Sequence, residues 1–288
     1  MDKTQTAAGR FHMVAAALLW GLAGVCVKSI SWGSMSVVAA RSVLAFIVLI
    51  IAKGSFKIRF TKSNVLGALM TTATGALYVE SIKLTTAGTA IVLQYVAPIL
   101  VFLYAVLFQH RKAKPAEVIL TAAVFGGIIL SFADQLDPSH LLGNLLGLAS
   151  GVTYAAQIII QSRRDTDPGD SLLISCITSF AISFPFLFFD RGLSFDVKNV
   201  VWILVLGIFQ YGMANVAFSR GIGKLEKVEA SLILTIEPVF NPIPVAILCH
   251  EMMGPRAVAG ALIVVVCVAL YAMLPALENG SRHKPKRV

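Results

Sequence analysis

Apolar residues run along this chain in stretches of roughly 18 to 22, each closed by a short connection rich in charged residues, glycine or proline. The stretches cover approximately residues 12–30, 34–52, 64–83, 87–108, 115–133, 142–161, 170–190, 199–220, 227–249 and 255–274. A helix rises about 1.5 Å per residue, so each is long enough to cross a hydrocarbon layer about 30 Å thick. The pattern therefore predicts an all-α integral membrane protein with ten transmembrane helices. The leader from Met1 to Phe11 is short and carries Lys3 and Arg10, as a cleaved signal would. The run behind it contains Trp20 and Lys28, and a second apolar run follows almost at once, so the sequence predicts a retained first span.

The pattern repeats itself. Ala90 to Pro98 (Ala-Ile-Val-Leu-Gln-Tyr-Val-Ala-Pro) aligns with Ala230 to Pro238 (Ala-Ser-Leu-Ile-Leu-Thr-Ile-Glu-Pro) at an offset of 140 residues. The same offset pairs Gly67 with Gly207, His110 with His250 and Pro115 with Pro255. One register thus accounts for identities spread along the half-chain, which is the signature of a duplication. Residues 1–136 are expected to form one five-helix repeat, 137–276 a second, and 277–288 a basic cytoplasmic tail. Because five is odd, the second copy enters the membrane from the opposite side, giving an inverted repeat of the kind many secondary transporters use.

Composition agrees with the hydropathy pattern: 57% of the residues are hydrophobic and 14% charged, more apolar surface than one soluble core hides. The net charge of +9 sits in the connections and the tail, with no basic face interleaved with aromatics, so it reads as a topology signal and excludes a nucleic-acid partner. Eighteen of the 24 Lys and Arg fall in the leader, the even-numbered connections and the tail, and four (Lys83, Arg191, Lys198, Arg256) fall on the other side. The asymmetry places both termini in the cytoplasm. The cysteines, Cys26, Cys176, Cys249 and Cys267, lie inside apolar runs without CxxC or Cys/His spacing, which reads as buried free thiols with no metal site.

Polar and aromatic residues at helical spacing mark the faces that meet at the repeat interface. The third span puts Thr71, Thr74, Gly75 and Tyr78 on one face, and the eighth answers with Tyr211, Asn215 and Phe218. Trp20 and Gly24 share a face of the first span, and Gly147, Gly151 and Tyr154 one of the sixth. The fourth offers Gln94 and Pro98, the ninth Glu237, Pro238 and Asn241. Trp20, Tyr78, Gln94, Tyr154, Tyr211, Asn215 and Asn241 are the expected substrate-binding residues. Glycines at four-residue spacing also serve close helix packing, and Pro98 and Pro238 are kinks first and candidate hinges second. Glu237 lies about ten residues into its span, where a charge costs roughly 2.5 kcal/mol or more. It reads as a proton carrier, a partner for a substrate ammonium, or a structural acid. Arg41 is either snorkelling or paired with an acid; His110, Arg111, His250 and Glu251 sit at span ends and read as interfacial.

No Ser/His/Asp set, HExxH motif or Walker-type loop occurs, so neither catalysis nor ATP-driven transport is indicated, and no cofactor is called for. Ala17-Leu18-Leu19-Trp20-Gly21, the Ala-to-Pro pattern of spans four and nine, and His250-Glu251 at the end of span nine resemble EamA-type members of the drug/metabolite transporter superfamily over essentially the whole chain. The resemblance implies a ten-helix carrier of the bacterial inner membrane that exports amino acids or related metabolites, lined by spans one, three, four, six, eight and nine. The chain departs from the family pattern at His110-Arg111, where many relatives carry Gly-Glu, so that acid stands only in the second copy, as Glu251. The other readings are a multidrug or nucleotide-sugar-type carrier on the same scaffold, and, further off, a membrane-embedded enzyme or channel. The expected partners are a small-molecule substrate and the lipid bilayer; both repeats lie in one chain, so a monomer suffices.

The charge asymmetry makes a direct test available. Single cysteines introduced at Ser139 and Ser194 are expected to react with an impermeant thiol reagent added outside intact cells, and one at Ser281 is not. The opposite labelling pattern would overturn the orientation and with it the inverted repeat.

Overall fold

The computed structural model describes residues 3–85, 87–132, 140–241, 243–244, 255–256, 258–260, 262–267 and 270. Within them the regular structure is helical throughout, with no strand. The helices are α1 (Lys3–Trp20), α2 (Ala23–Ser29), α3 (Ser34–Lys53), α4 (Lys62–Leu84), α5 (Ala87–Gln94), α6 (Ala97–Leu107), α7 (Pro115–Phe132), α8 (Leu141–Gln161), α9 (Pro168–Ser183), α10 (Val197–Leu204), α11 (Ala214–Gly221), α12 (Lys227–Leu234) and α13 (Ile236–Phe240). A π-helical stretch, Val205–Met213, joins α10 to α11. Six helical runs are long and apolar enough to cross a membrane: Thr4–Ser29, Ser34–Lys53, Lys62–Leu84, Leu141–Gln161, Pro168–Phe188 and Val197–Lys224. Ala97–Leu107, Pro115–Leu130 and Val258–Cys267 are shorter apolar helices. Cys249, His250, Glu251, Ser139 and the basic tail lie outside the described residues.

Local sequence sets the helix ends. Gly54, with φ of 66°, closes α3 in a left-handed turn whose N–H reaches the carbonyls of Ile50 and Ile51, a conformation glycine adopts without a Cβ clash. Thr61 and Asp196 cap α4 and α10 by accepting from the N–H groups of Asn64 and Asn199. The Asn199 N–H also holds the Asp196 carboxyl below the usual carboxylate range.

Two stretches expected to run as continuous helices are broken. The fourth span divides at Tyr95 and Val96 into α5 and α6, and the ninth at Thr235 into α12 and α13. Each break lies two or three residues before a proline, Pro98 or Pro238, which lacks the N–H that would bond the carbonyl four residues earlier. Those carbonyls belong to Gln94 and Leu234, 140 residues apart, so the repeat seen in sequence is repeated in the break.

Packing joins the halves rather than separating them. α4 lies along α8 and α9, α3 along α9, and α1 along α11, α12 and α13, while α12 meets α6. Exchanging equivalent spans of the two repeats carries the α4–α8 pair onto α11–α1 and the α5–α8 pair onto α12–α1. The outside of the assembly is apolar, with Ile47, Ile51, Leu69, Leu145, Val152 and Phe209 exposed, whereas Ser36, Ser42, Thr72, Ser175 and Ser179 are buried. That distribution suits a lipid surround, where the interior has to satisfy polar groups and the exterior does not. Cys26, Cys176 and Cys267 are free and buried, as expected from their apolar surroundings.

Both ends of α3 and α4 are tied to the second half. At one end Lys53 and Arg59 form ion pairs with Asp170, Arg59 also pairs with Asp167, and Asn64 accepts from the Asp167 N–H at 2.8 Å. At the other, about 30 Å away by the length of α3, Asp190 accepts from the Gly33 N–H at 2.8 Å and the Trp32 indole donates to the Ser194 carbonyl at 2.7 Å.

Candidate functional site

A cavity of about 60 Å3 opens where these broken and continuous helices converge. α4 supplies Thr71, Thr74, Gly75 and Tyr78, the four residues the helical period had placed on one face. Trp20, Gln94, Tyr154, Tyr211, Asn215 and Glu237 reach the same space from α1, α5, α8, the π-helical stretch, α11 and α13. Six of the seven expected binding residues, together with Glu237, therefore line one cavity built by both halves. The Trp20 ring packs on Phe218 (5.2 Å between centroids) and meets Tyr154 edge-on at 6.2 Å, which fixes its orientation toward the cavity.

Asn241 does not line this cavity. Its side-chain amide donates to the Gly21 carbonyl at 2.9 Å, a group left open because α1 ends at Trp20 and α2 begins at Ala23. Gln210 does the same for the neighbouring Trp20 carbonyl at 3.2 Å while also lining the cavity. In both places a polar side chain replaces the intrahelical donor that a break removed.

Pro98 and Pro238 adjoin the two other breaks. The Leu234 carbonyl, freed by Pro238, accepts from the Tyr95 hydroxyl at 2.6 Å, and Tyr95 belongs to the opposite break. The Gln94 carbonyl, freed by Pro98, faces α8 at Gly151, where a Cβ would lie 2.7 Å from it. Only glycine allows that approach.

The Tyr95 hydroxyl is also 2.7 Å from Glu237 Oε2. A hydroxyl carries one proton and a backbone carbonyl can only accept. Both contacts are hydrogen bonds at once only if Glu237 supplies the second proton and donates to Tyr95. Glu237 is 4% exposed, and this arrangement lets it lie in the wall as a neutral group, held by a residue of the other half.

Three lining residues escaped the sequence reading. Gln157 follows Tyr154 by three positions and shares its face, a signal that was present. Gln210 adjoins Tyr211, and two successive residues do not share a face at 3.6 residues per turn; the wider π-helical turn brings both to the cavity. Arg41 was visible as a cation within the second span, but its place against the cavity was not.

The model of one transporter family, described as "EamA-like transporter family", matches the chain twice, over residues 7–133 and 141–273. The chain belongs to the EamA-like transporter family. It is accordingly a multi-pass membrane protein of a family whose members are transporters. A solved structure described as "Crystal structure of protein" is similar in fold, with a TM-score of 0.79 at 17% identity, covering 93% of this chain and 98% of that one. Comparison with curated proteins finds no match.

The transporter's junction between the breaks yields a paired prediction. Tyr95→Phe leaves the Leu234 carbonyl and Glu237 without their partner and is expected to destabilise the protein by about 1–3 kcal/mol. The Tyr78 hydroxyl is buried without a partner among the described residues, so Tyr78→Phe is expected to stay within about 0.5 kcal/mol of wild type. Unfolding of the detergent-solubilised protein measures both, and equal effects would contradict the assignment of Tyr95.

Proposed function

We propose that the protein is a secondary transporter that exports small metabolites, amino acids foremost, across the bacterial inner membrane by alternating access between two inverted five-helix repeats. On this reading residues 1–136 and 137–276 are the repeats, ten helices span the bilayer, and residues 277–288 lie with the N-terminus in the cytoplasm. The repeated breaks before Pro98 and Pro238 and the exchange of packing pairs between halves support the two-fold arrangement. Pro98 and Pro238 then serve as hinges.

The observation that carries the proposal is Glu237, an acid in the wall of a cavity built by both halves and held there by Tyr95 of the other half. A carboxyl in that position exchanges a proton with one side and then the other as the halves rock, provided its charge state biases the two conformations differently. The ion pairs and hydrogen bonds at the two ends of α3 and α4 break by turns in that cycle. A cavity of about 60 Å3 has room for only a few water molecules, at about 10–15 Å3 each. Substrate entry therefore requires the rings of Trp20, Tyr78 and Tyr154 to part. Those rings suit an apolar or aromatic side chain, while Gln94 and Asn215 supply hydrogen bonds. A nucleotide-sugar substrate would bring two phosphates, for which this lining offers one guanidinium.

Glu237→Gln in proteoliposomes tests the coupling. The expected outcome is loss of concentrative amino-acid transport driven by a pH gradient, with exchange of labelled for unlabelled substrate retained. Unchanged transport between about pH 5 and 8 would overturn proton coupling and leave facilitated diffusion. Loss of exchange as well would assign Glu237 to a substrate ammonium instead.

A further inference from the structure

Arg41 is 3% exposed, lies within α3 and lines the cavity. Among the described residues its guanidinium is only partly satisfied: Nη2 donates to the Gly75 carbonyl at 3.0 Å, the Cζ sits 4.4 Å over the Tyr211 ring, and Nε is buried without a partner. No carboxylate pairs with it among the described residues. Glu237 lines the same cavity but is engaged with Tyr95 and forms no ion pair with Arg41.

A buried cation that meets no anion is expensive in a membrane interior, where paired charges are the rule. A purely structural tie between α3 and α4 needs no charge, since a neutral amide would bond the Gly75 carbonyl equally well. The space around the group is also shaped for it. A Cβ at Gly75 would fall 2.6 Å from Nη2, so the guanidinium fits against α4 only because position 75 has no side chain. The Tyr211 face beneath holds the plane of the guanidinium without neutralising it.

We propose that Arg41 is the carboxylate-binding residue of the substrate site, and that the transported molecule carries a carboxylate that completes the charge and hydrogen bonding of this side chain. A planar guanidinium with free donors recognises a carboxylate in two-point fashion. The inference rests on reading the cavity as the substrate site; it does not require the substrate to be an amino acid.

The test is calorimetric titration of the purified full-length transporter with the twenty L-amino acids. The tightest binder is then compared with its deaminated carboxylic acid, its decarboxylated amine and its methyl ester. Removing or blocking the carboxylate is expected to weaken binding by about tenfold or more, as loss of a charged hydrogen bond does. Arg41→Gln is expected to weaken the amino acid by a similar factor and to leave the amine and the ester unchanged, with Arg41→Lys intermediate. A merely structural Arg41 would weaken all four alike, and that result overturns the proposal. So does an amine or ester that binds wild type as well as the acid. If Arg41→Gln fails to give monodisperse protein, the four-ligand comparison on wild type and Arg41→Lys decides. Should the deaminated acids bind with this Arg41 dependence while no amino acid does, the amino-acid reading falls and the carboxylate site stands; if no carboxylate-bearing compound binds, both fall.

Discussion

A backbone carbonyl left open in the middle of a hydrocarbon layer is costly unless a donor reaches it, because no water is there to serve it. The arrangement of the cavity follows from that requirement. Pro238 opens the Leu234 carbonyl and Tyr95 takes it; the end of α1 opens the carbonyls of Trp20 and Gly21, and Gln210 and Asn241 take those. Each donor comes from an element remote in sequence, so satisfying the breaks also ties the two halves to one another. Polar groups gather at the breaks, and the space between them becomes a polar cavity inside an apolar shell.

Charge within that space is handled in two ways. Glu237 is matched with Tyr95 and can lie neutral, whereas Arg41 keeps its charge, bonded to one carbonyl and seated on one aromatic ring. The two are opposite in sign and share a cavity without forming a pair. An internal ion pair would close the site on itself and leave little for a ligand to gain. On the proposed reading, holding them apart keeps Glu237 available to a proton and Arg41 to a substrate anion, while the networks at either end of α3 and α4 are the contacts that open by turns.

The long elements of this architecture were legible in the sequence because hydrophobic length and the 140-residue repeat are properties of the whole chain. The Thr71 to Tyr78 face of α4 was also legible, since that helix keeps the regular 3.6-residue period on which the reading depends. The period misled where the backbone departs from it: Gln210 reaches the cavity through a π-helical turn, and Asn241 turns away from it to cap α1. Pro98 and Pro238 announced irregularity but not its form, because whether a proline kinks or breaks a helix depends on the elements packed around it. Tyr95 was invisible as Glu237's partner for a related reason. Its role arises only when Tyr95, just past the end of α5, and Glu237 of α13, 142 residues apart along the chain, are brought side by side.

The central claim is that Tyr95 stabilises the fold by serving the carbonyl that Pro238 leaves open, and a double-mutant cycle measures this directly. Tyr95→Phe, Pro238→Ala and the combined variant are unfolded under identical conditions. Pro238→Ala restores the missing N–H, so the account predicts that Tyr95→Phe costs less in that background than in wild type, with a coupling of about 0.5–3 kcal/mol. Strictly additive effects would show that Tyr95 and the open carbonyl act independently, and would contradict it.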